Sequence, residues 1–279
     1  MLLAEIYTKT KQALKQSGID DFAFEAKLIL KRCLNISDSQ ILTEYNREIE
    51  KEAELLIEKA VARRKERYPL QYILGEWDFY KYTFKVGEGV LIPRSDTEIL
   101  VEKAVEYLKN TENPQVLDLC AGSGCIGISI AKDYPQSEVT LVEKFDGAFG
   151  HLLENIELNN AKNAKALKGD VLKGDGSDGV YDLIVSNPPY IPPNEMAIIS
   201  PETRFEPETA LLGGEDGMLF YKAIIENYKK SLKKGGMLGF EVGINEDEAV
   251  ADLLKDALFE KITVTKDFNG INRVVTAIK

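Results

Sequence analysis

The stretch "VLDLCAGSGCIG", residues 116–127, joins an apolar run to a glycine-rich turn and then to a second apolar segment. This order is typical of a strand, a tight turn and the start of a helix. Gly122 and Gly124 let the backbone pass close to a ligand and adopt φ values that other residues avoid. The stretch therefore predicts a ligand-binding turn, and the alternative is tight helix–strand packing without a ligand.

From Asp96 onward, strand-like and helix-like segments alternate along the chain. The predicted strands are QVLDLC, EVTLVEK, AKALKGD, YDLIVSN, GGMLGFEVG, KITVTKDF and NRVVTAIK. Such alternation predicts an open α/β sheet, doubly wound and mostly parallel, with helices on both faces. In sheets of this kind a ligand binds beyond the carboxyl ends of the strands.

The chain before this sheet has a different pattern, which predicts three domains or segments. Residues 1–75 carry helical periodicity, with acidic residues at helix starts and basic residues at helix ends, and predict a helical bundle. Residues 68–94 then alternate aromatic and β-branched residues with polar ones, which favours a β-hairpin. We therefore expect a helical domain over 1–75, a hairpin linker over 76–95 and an α/β domain over 96–279.

Composition narrows the possible functions. The net charge of −11 over 279 residues argues against tight, non-specific binding of nucleic acid. A basic run at 62–68 could still form a local patch, although it also fits the solvated face of a helix. The N-terminus lacks the apolar core of a signal peptide, and no apolar run approaches 18 residues. Three cysteines without a CxxC pair favour reduced thiols, and we expect a cytoplasmic protein without a metal site.

Acidic residues stand at or near the ends of three successive predicted strands. Asp118 precedes the glycine-rich turn, Glu143 ends the next strand, and Asp170 follows the third. A carboxylate at the position of Glu143 can accept both hydroxyls of a ribose, and Asp170 would lie near an adenine amino group. Their combined negative potential disfavours a pyrophosphate but suits a cationic sulfonium. These residues predict S-adenosylmethionine as the cofactor.

A second stretch, "VSNPPYIPP" at 185–193, places four prolines directly after a predicted strand. Each proline fixes its own φ near −65° and pushes the residue before it toward extended backbone. The result is a rigid turn that carries the amide of Asn187 and the ring of Tyr190. An ordinary proline-rich turn is the alternative.

Together these motifs resemble a known family. The order of DLCAGSG, Glu143, GD at 169–170 and NPPY at 187–190 resembles class I S-adenosylmethionine-dependent methyltransferases, which have a Rossmann-like sheet. Three further segments resemble the HemK-type glutamine methyltransferases of peptide chain release factors: PLQYILGEWDFY (69–80), LIPRSDTEILVE (91–102) and RFEPETALLGGEDGM (204–218). The resemblance covers nearly the whole chain, and it implies a monomer whose helical domain docks a protein substrate.

The resemblance also implies site residues. It assigns cofactor binding to Cys120, Ala121, Gly122, Ser123, Gly124, Glu143, Val171 and Asn187, beside the Asp118 and Asp170 predicted above. It assigns the substrate, the glutamine of a Gly-Gly-Gln loop in a class 1 release factor, to Asn187, Pro188, Pro189 and Tyr190. Arg204 and Glu206 fall on a substrate-side loop, although they could instead pair with each other at the surface.

Three positions depart from the family pattern. The family often has glycine at the position of Cys120, aspartate at that of Glu143 and proline at that of Ser95. We expect Cys120 to require a different turn and Glu143 to reach one methylene farther. Neither change removes the chemistry of the site.

The catalytic residues expected are Asn187, Pro188 and Tyr190. An amide nitrogen is a poor nucleophile because its lone pair is delocalised into the carbonyl group. The Asn187 oxygen and the Pro188 carbonyl could each accept one N–H of a substrate amide, which orients the nitrogen and stabilises developing positive charge. Tyr190 could stack on the amide plane and exclude water.

Two other functions fit part of the pattern. An N6-adenine methyltransferase of DNA or RNA shares the NPPY turn, but it would be expected to carry a basic groove or a target-recognition domain. A non-catalytic binding module would keep the fold as a scaffold, and loss of Asn187 or of the glycine turn would indicate it. Both features are present.

Overall fold

The computed structural model describes all residues, 1–279, and the chain divides into two compact units. The helical unit contains Met1–Glu76 together with Ser200–Phe205, and the sheet unit contains Trp77–Ile199 and Glu206–Lys279. The division at residue 76 lies next to the boundary expected from sequence. The hairpin belongs to the sheet unit rather than forming a separate linker, and residues 200–205 belong to the helical unit rather than to the α/β domain.

Five helices build the helical unit. They are α1 (Leu3–Gln16), α2 (Phe22–Leu34), α3 (Asp38–Thr43), α4 (Lys51–Lys65) and α5 (Leu70–Leu74). The short helix α5 lies where the sequence predicted the start of a hairpin. Pro69 precedes it with a φ of −54°, and Gly75 ends it in the left-handed conformation. Because proline favours the start of a helix and glycine its end, these two residues outweigh the β-branched and aromatic content between them.

A buried arginine ties the discontinuous segment of the helical unit to its helices. Arg64, on α4, donates from Nε and Nη2 to the two carboxylate oxygens of Glu25, at 2.6 and 3.1 Å. Its Nη1 donates to Glu202 at 3.1 Å, and Arg67 donates to the same carboxylate oxygen at 3.2 Å. Removing one partner of such a pair leaves an uncompensated buried charge, so the arrangement is strongly coupled.

The sheet unit combines a small hairpin with a seven-stranded sheet. The hairpin strands are β1 (Glu76–Phe79) and β2 (Tyr82–Lys85). The sheet strands are β3 (Gln115–Leu119), β4 (Glu138–Glu143), β5 (Ala164–Lys168), β6 (Tyr181–Ser186), β7 (Leu232–Glu241), β8 (Glu260–Lys266) and β9 (Asn272–Ile278). The helices are α6 (Glu98–Leu108), α7 (Cys125–Asp133), α8 (Asp146–Leu158), α9 (Leu219–Tyr228) and α10 (Asp247–Asp256). None of the helices is long and apolar enough to cross a membrane.

The strand order of the large sheet is β5-β4-β3-β6-β7-β9-β8. Every strand runs in the same direction except β9, which pairs antiparallel with both of its neighbours. Growth of the sheet reverses between β3 and β6, which creates a crevice beyond the carboxyl ends of these two strands. The predicted doubly wound, mostly parallel sheet is confirmed.

The core of the sheet unit lies in two layers, one on each face. Neighbouring residues of a strand point to opposite faces, so Val116 packs with α6 and α7 while Leu117 packs with α9 and α10. Large, fully buried side chains fill both layers, for example Leu100 on one face and Tyr221 on the other. The predicted helices on both faces are therefore confirmed.

Candidate active site

The turn between β3 and α7 has left-handed backbone at three of its five residues. The φ angles are +57° at Cys120, +57° at Gly122 and +81° at Gly124. A Cβ on Gly124 would lie 2.5 Å from the Leu152 side chain, so glycine is required there. No heavy atom lies within 4 Å of the place where a Cβ on Gly122 would stand. The turn therefore borders open space at Gly122.

Glu143, at the end of β4, holds this turn in place. Its Oε2 accepts the backbone N–H of Gly122 at 2.9 Å, and its Oε1 accepts that of Phe145 at 2.7 Å. Each carboxylate oxygen has a second lone pair, so both remain able to accept a hydroxyl. The predicted contact with a ribose is chemically possible here and stays a prediction.

Asp170 follows β5 and faces a cation that the sequence analysis did not single out. Its carboxylate accepts the backbone N–H of Leu172 at 3.1 Å and pairs with Lys144 Nζ at 3.1 Å. Val171 beside it is buried. Lys144 offsets part of the negative potential expected from the acidic strand ends.

Asp118 lies behind the turn rather than on a surface that a ligand could reach. It is fully buried, and its Oδ2 accepts the backbone N–H of Gly127 at 2.8 Å while Oδ1 has no hydrogen-bond partner. Burial raises the pKa of this carboxyl to about 7. Asp118 thus supports the first turn of α7, and the geometry gives it no direct contact with a cofactor.

A cleft of about 950 Å³, including its open mouth, lies beyond the carboxyl ends of the central strands. Nine of the predicted site residues line it: Cys120, Ala121, Gly122, Ser123, Glu143, Asp170, Val171, Asn187 and Pro189. Apolar side chains such as Ile126, Phe145 and Leu172 complete the walls.

Asn187 connects the cleft wall to the buried interior of the sheet unit. Its Nδ2 donates to Thr97 Oγ1 at 3.4 Å, across 90 positions of sequence. Pro188 is buried and Pro189 lies on the cleft wall. The proline-rich turn therefore places an amide at the edge of the same cleft that the glycine-rich turn borders.

Tyr190 does not line the cleft. Its backbone lies against Gly213 and Gly217, and its ring lies against Gly243. Burial raises the pKa of this phenol, and the nearby carboxylate of Glu241 raises it further, so Tyr190 stays protonated. The predicted stacking of its ring on a substrate amide stays a prediction.

The structure separates Arg204 from Glu206. Arg204 is exposed and belongs to the helical unit, whereas Glu206 is buried in the sheet unit. The Glu206 carboxylate accepts the backbone N–H of Ile92 at 2.9 Å and pairs with Arg94. Glu206 holds the segment that leads into the cleft wall, and a substrate-side role of Arg204 and Glu206 stays a prediction.

The strand order, the reversal at β3 and β6 and the cleft beside them define a class I methyltransferase fold. A 16S rRNA methyltransferase of Thermus thermophilus, solved with S-adenosylmethionine and guanosine, superposes with a TM-score of 0.54 at 23% identity. The superposition covers 73% of this chain and 49% of that chain. This likeness concerns the fold alone.

Sequence comparison adds the family. The family model of the PrmC N-terminal domain matches residues 5–75, and that of the methyltransferase small domain matches residues 95–200. The release factor glutamine methyltransferase of Fusobacterium nucleatum is 39% identical over 99% of this chain and 78% of that protein. The one of Thermodesulfovibrio yellowstonii is 41% identical over 92% of this chain and 94% of that protein. The chain belongs to the release factor glutamine methyltransferase family, which confirms the HemK-type resemblance.

Proposed function

We propose that the protein transfers a methyl group from S-adenosylmethionine to the side-chain amide nitrogen, N5, of the glutamine in the Gly-Gly-Gln loop of class 1 release factors. The observation that carries this proposal is the position of Asn187 on the wall of the cleft that Glu143 and the glycine-rich turn also line. Identity with the relatives extends through the helical domain, which supports a protein substrate.

The cleft fits the proposed cofactor. Glu143 keeps acceptor capacity for ribose hydroxyls, and apolar walls suit an adenine ring. The two cations on the walls, Arg94 and Lys144, are paired with carboxylates and do not offer a phosphate site. The cleft-lining residues of the 120–123 turn, with Glu143, Asp170 and Val171, would hold S-adenosylmethionine, which supplies an electrophilic methyl group on sulfur and leaves as S-adenosylhomocysteine.

The NPPY turn would orient the substrate amide. The Oδ1 atom of Asn187 and the carbonyl oxygen of Pro188 each accept one N–H, which directs the nitrogen lone pair toward the methyl group. Accepting both hydrogens also stabilises the positive charge that develops on nitrogen. The nitrogen gains a methyl group and gives up one hydrogen as a proton, which passes to solvent. Orientation of reactants can contribute about 7–11 kcal/mol to such a step.

An adenine methyltransferase is the alternative with the same turn. The net charge of −11 and a helical extra domain that matches the PrmC N-terminal domain both favour the protein substrate. Methylation of a release factor would tune translation termination and place the protein in the cytoplasm. A monomeric state stays a prediction.

The test is a transfer assay with labelled S-adenosylmethionine. Three substrates are tested separately: a class 1 release factor, the same factor with its Gly-Gly-Gln glutamine changed to glutamate, and nucleic acid. We expect label in the Gly-Gly-Gln peptide of the first factor alone. Label only in nucleic acid would establish the adenine enzyme, and label in none would establish a scaffold.

Asn187→Ala provides the first prediction about a residue. We expect the rate of methyl transfer to fall at least about 100-fold, because an oriented acceptor is lost, while much of the cofactor affinity remains. Titration with S-adenosylhomocysteine measures that affinity. Asn194→Ala, exposed in the same segment, is the matched control and should transfer at the normal rate. An active Asn187→Ala variant would rule out the amide clamp.

A further inference from the structure

An asparagine that accepts a hydrogen bond from a substrate must present the correct end of its amide. The oxygen and nitrogen ends have nearly the same shape but opposite hydrogen-bonding character. At Asn187 the oxygen must face the substrate, since the NH2 end would place donor against donor. Another group must therefore hold the orientation of this side chain.

The groups behind Asn187 are Thr97 and Glu241. Thr97 lies in the 3-10 turn Ser95–Thr97 before α6, and Glu241 is the last residue of β7, next to β6 in the sheet. Both side chains are buried, at 2% and 3% exposure. Asn187 Nδ2 donates to Thr97 Oγ1 at 3.4 Å. Glu241 lies beside Asn187, since β6 and β7 pair in parallel with Ser186 opposite Phe240.

We propose that Thr97 and Glu241 are positioning residues that hold the NH2 end of Asn187 in the interior and so direct its oxygen toward the substrate. The chain of donors runs from Asn187 Nδ2 to the Thr97 hydroxyl and from that hydroxyl to Glu241. This inference rests on the proposed function, because it concerns the orientation of the acceptor in the amide clamp.

The direction of this chain depends on the charge of Glu241. An ionised carboxylate only accepts hydrogen bonds, so Thr97 must donate to it and accept from Asn187. A protonated carboxyl can donate to Thr97, which then donates to Asn187 and turns its oxygen inward. The Glu241 atom Oε2 has no hydrogen-bond partner, so no other group determines which oxygen of the carboxyl carries the proton. Protonation would therefore release the amide from its productive orientation.

Every charged or titratable group around Glu241 bears on its ionisation. Burial is the main cause that raises the pKa of this carboxyl to about 7, with Arg273 on β9 lowering it and Asp96 raising it. The other titratable neighbours are Cys125, Tyr190 and Tyr221, whose own pKa values are raised by burial and which therefore stay neutral. The carboxyl titrates within the range in which the enzyme can be assayed.

The first test is the pH dependence of methyl transfer by the full-length protein. In the wild type we expect kcat to fall as the pH drops below about 7, the pKa of Glu241. Glu241→Gln imitates the neutral acid, so its kcat should be about tenfold lower at pH 8 and nearly constant between pH 6 and 8. KM for the release factor should change less than about twofold, since the chain acts on orientation.

Glu246→Gln is the matched control. Burial also raises the pKa of Glu246 to about 7, but its carboxylate accepts from Gly243 and Tyr221 and not from Asn187. This variant should keep the fall of kcat below pH 7. If Glu241→Gln keeps that fall as well, the positioning role is wrong.

A second pair of variants keeps the test valid if Glu241→Gln does not fold. Thr97→Val removes the hydroxyl at nearly constant volume and should lower kcat about tenfold, whereas Thr97→Ser keeps the hydroxyl and should restore most of it. Equal rates for the two variants would contradict the proposal. A wild type that labels no release factor would instead refute the proposed function, so the two failures are distinguishable.

Discussion

Cys120 occupies a backbone conformation that glycine adopts at little cost. Its φ is +57°, in the left-handed region. In this region the Cβ of a residue other than glycine lies too close to the following carbonyl oxygen, which costs about 1–2 kcal/mol. The sequence comparison with the family led us to expect a different turn at this position. The structure shows that Cys120 itself adopts the left-handed conformation, so the cysteine bears the strain. A difference from the turn of the relatives stays a prediction.

The strain at Cys120 predicts an unusual order of stability. Cys120→Gly should be more stable than Cys120→Ala by about 1 kcal/mol, because both lose the sulfur and only alanine keeps the strained Cβ. The control is Cys33 in α2, where alanine should exceed glycine by about 0.5–1 kcal/mol. Denaturant unfolding measures both pairs, and the same order at the two sites would disprove the strain.

At the scale of elements, the segment Gly213–Gly217 supports the NPPY turn. Backbone N–H of Gly213 donates to the Ile191 carbonyl at 2.9 Å, and that of Ile191 donates to Leu211 at 2.8 Å. A Cβ on Gly213 would lie 2.5 Å from Tyr190 Cα. Gly213 and Gly217 are therefore required because the Tyr190 backbone passes directly over them.

Gly217→Ala tests this support. Its φ of +77° is matched by the +80° of Gly235, so alanine pays a similar conformational cost of about 1 kcal/mol at both positions. Only at Gly217 would the new Cβ lie 2.6 Å from the Tyr190 carbonyl oxygen, whereas no atom lies within 4 Å at Gly235. We expect Gly217→Ala to lose more stability and about tenfold in kcat, and Gly235→Ala to keep its rate. Denaturation and the transfer assay measure the difference.

At the scale of the whole molecule, three carboxyls link stability to pH: Asp118 and Glu241 are buried, and Glu246 is half-buried. Burial is the largest cause that raises the pKa values of Asp118, Glu241 and Glu246, each to about 7. Their pKa values in the unfolded chain are about 4. Between these values the folded protein binds more protons than the unfolded one, so the free energy of unfolding falls as the pH rises from 4 to 7.

Asp118→Asn should reduce this pH dependence. The amide oxygen can still accept the N–H of Gly127, but the variant buries no charge above pH 7. Its gain in free energy of unfolding over the wild type should therefore be larger at pH 8 than at pH 5. Asp216→Asn is the control. Lys222 lowers the pKa of this exposed carboxyl, so Asp216 changes the free energy of unfolding only below pH 4. If the free energy of unfolding changes equally with pH in wild type and Asp118→Asn between pH 5 and 8, Asp118 is not the source of the pH dependence.

Much of the molecule could be predicted from local patterns. The alternating strand-like and helix-like segments are short-range features, so the sheet and its helices were predicted correctly. Cys120 to Ser123 line the cleft, and their contact with a cofactor stays a prediction. Helix α5 was missed because Pro69 and Gly75 mark its ends more strongly than its composition marks a strand. The burial of Asp118 and Glu206 was also missed, since a charged residue carries no sequence signal for a distant partner.

The sequence by itself determined the class of fold, the glycine-rich turn and the family, because each depends on residues that are close together along the chain. Only the tertiary structure decided which groups stand behind those residues. Thr97 and Glu241 come from opposite sides of the NPPY turn in sequence and meet Asn187 because α6 and β7 pack beside β6. Packing also removed these groups from water, and desolvation rather than residue type brings the pKa of Glu241 to about 7.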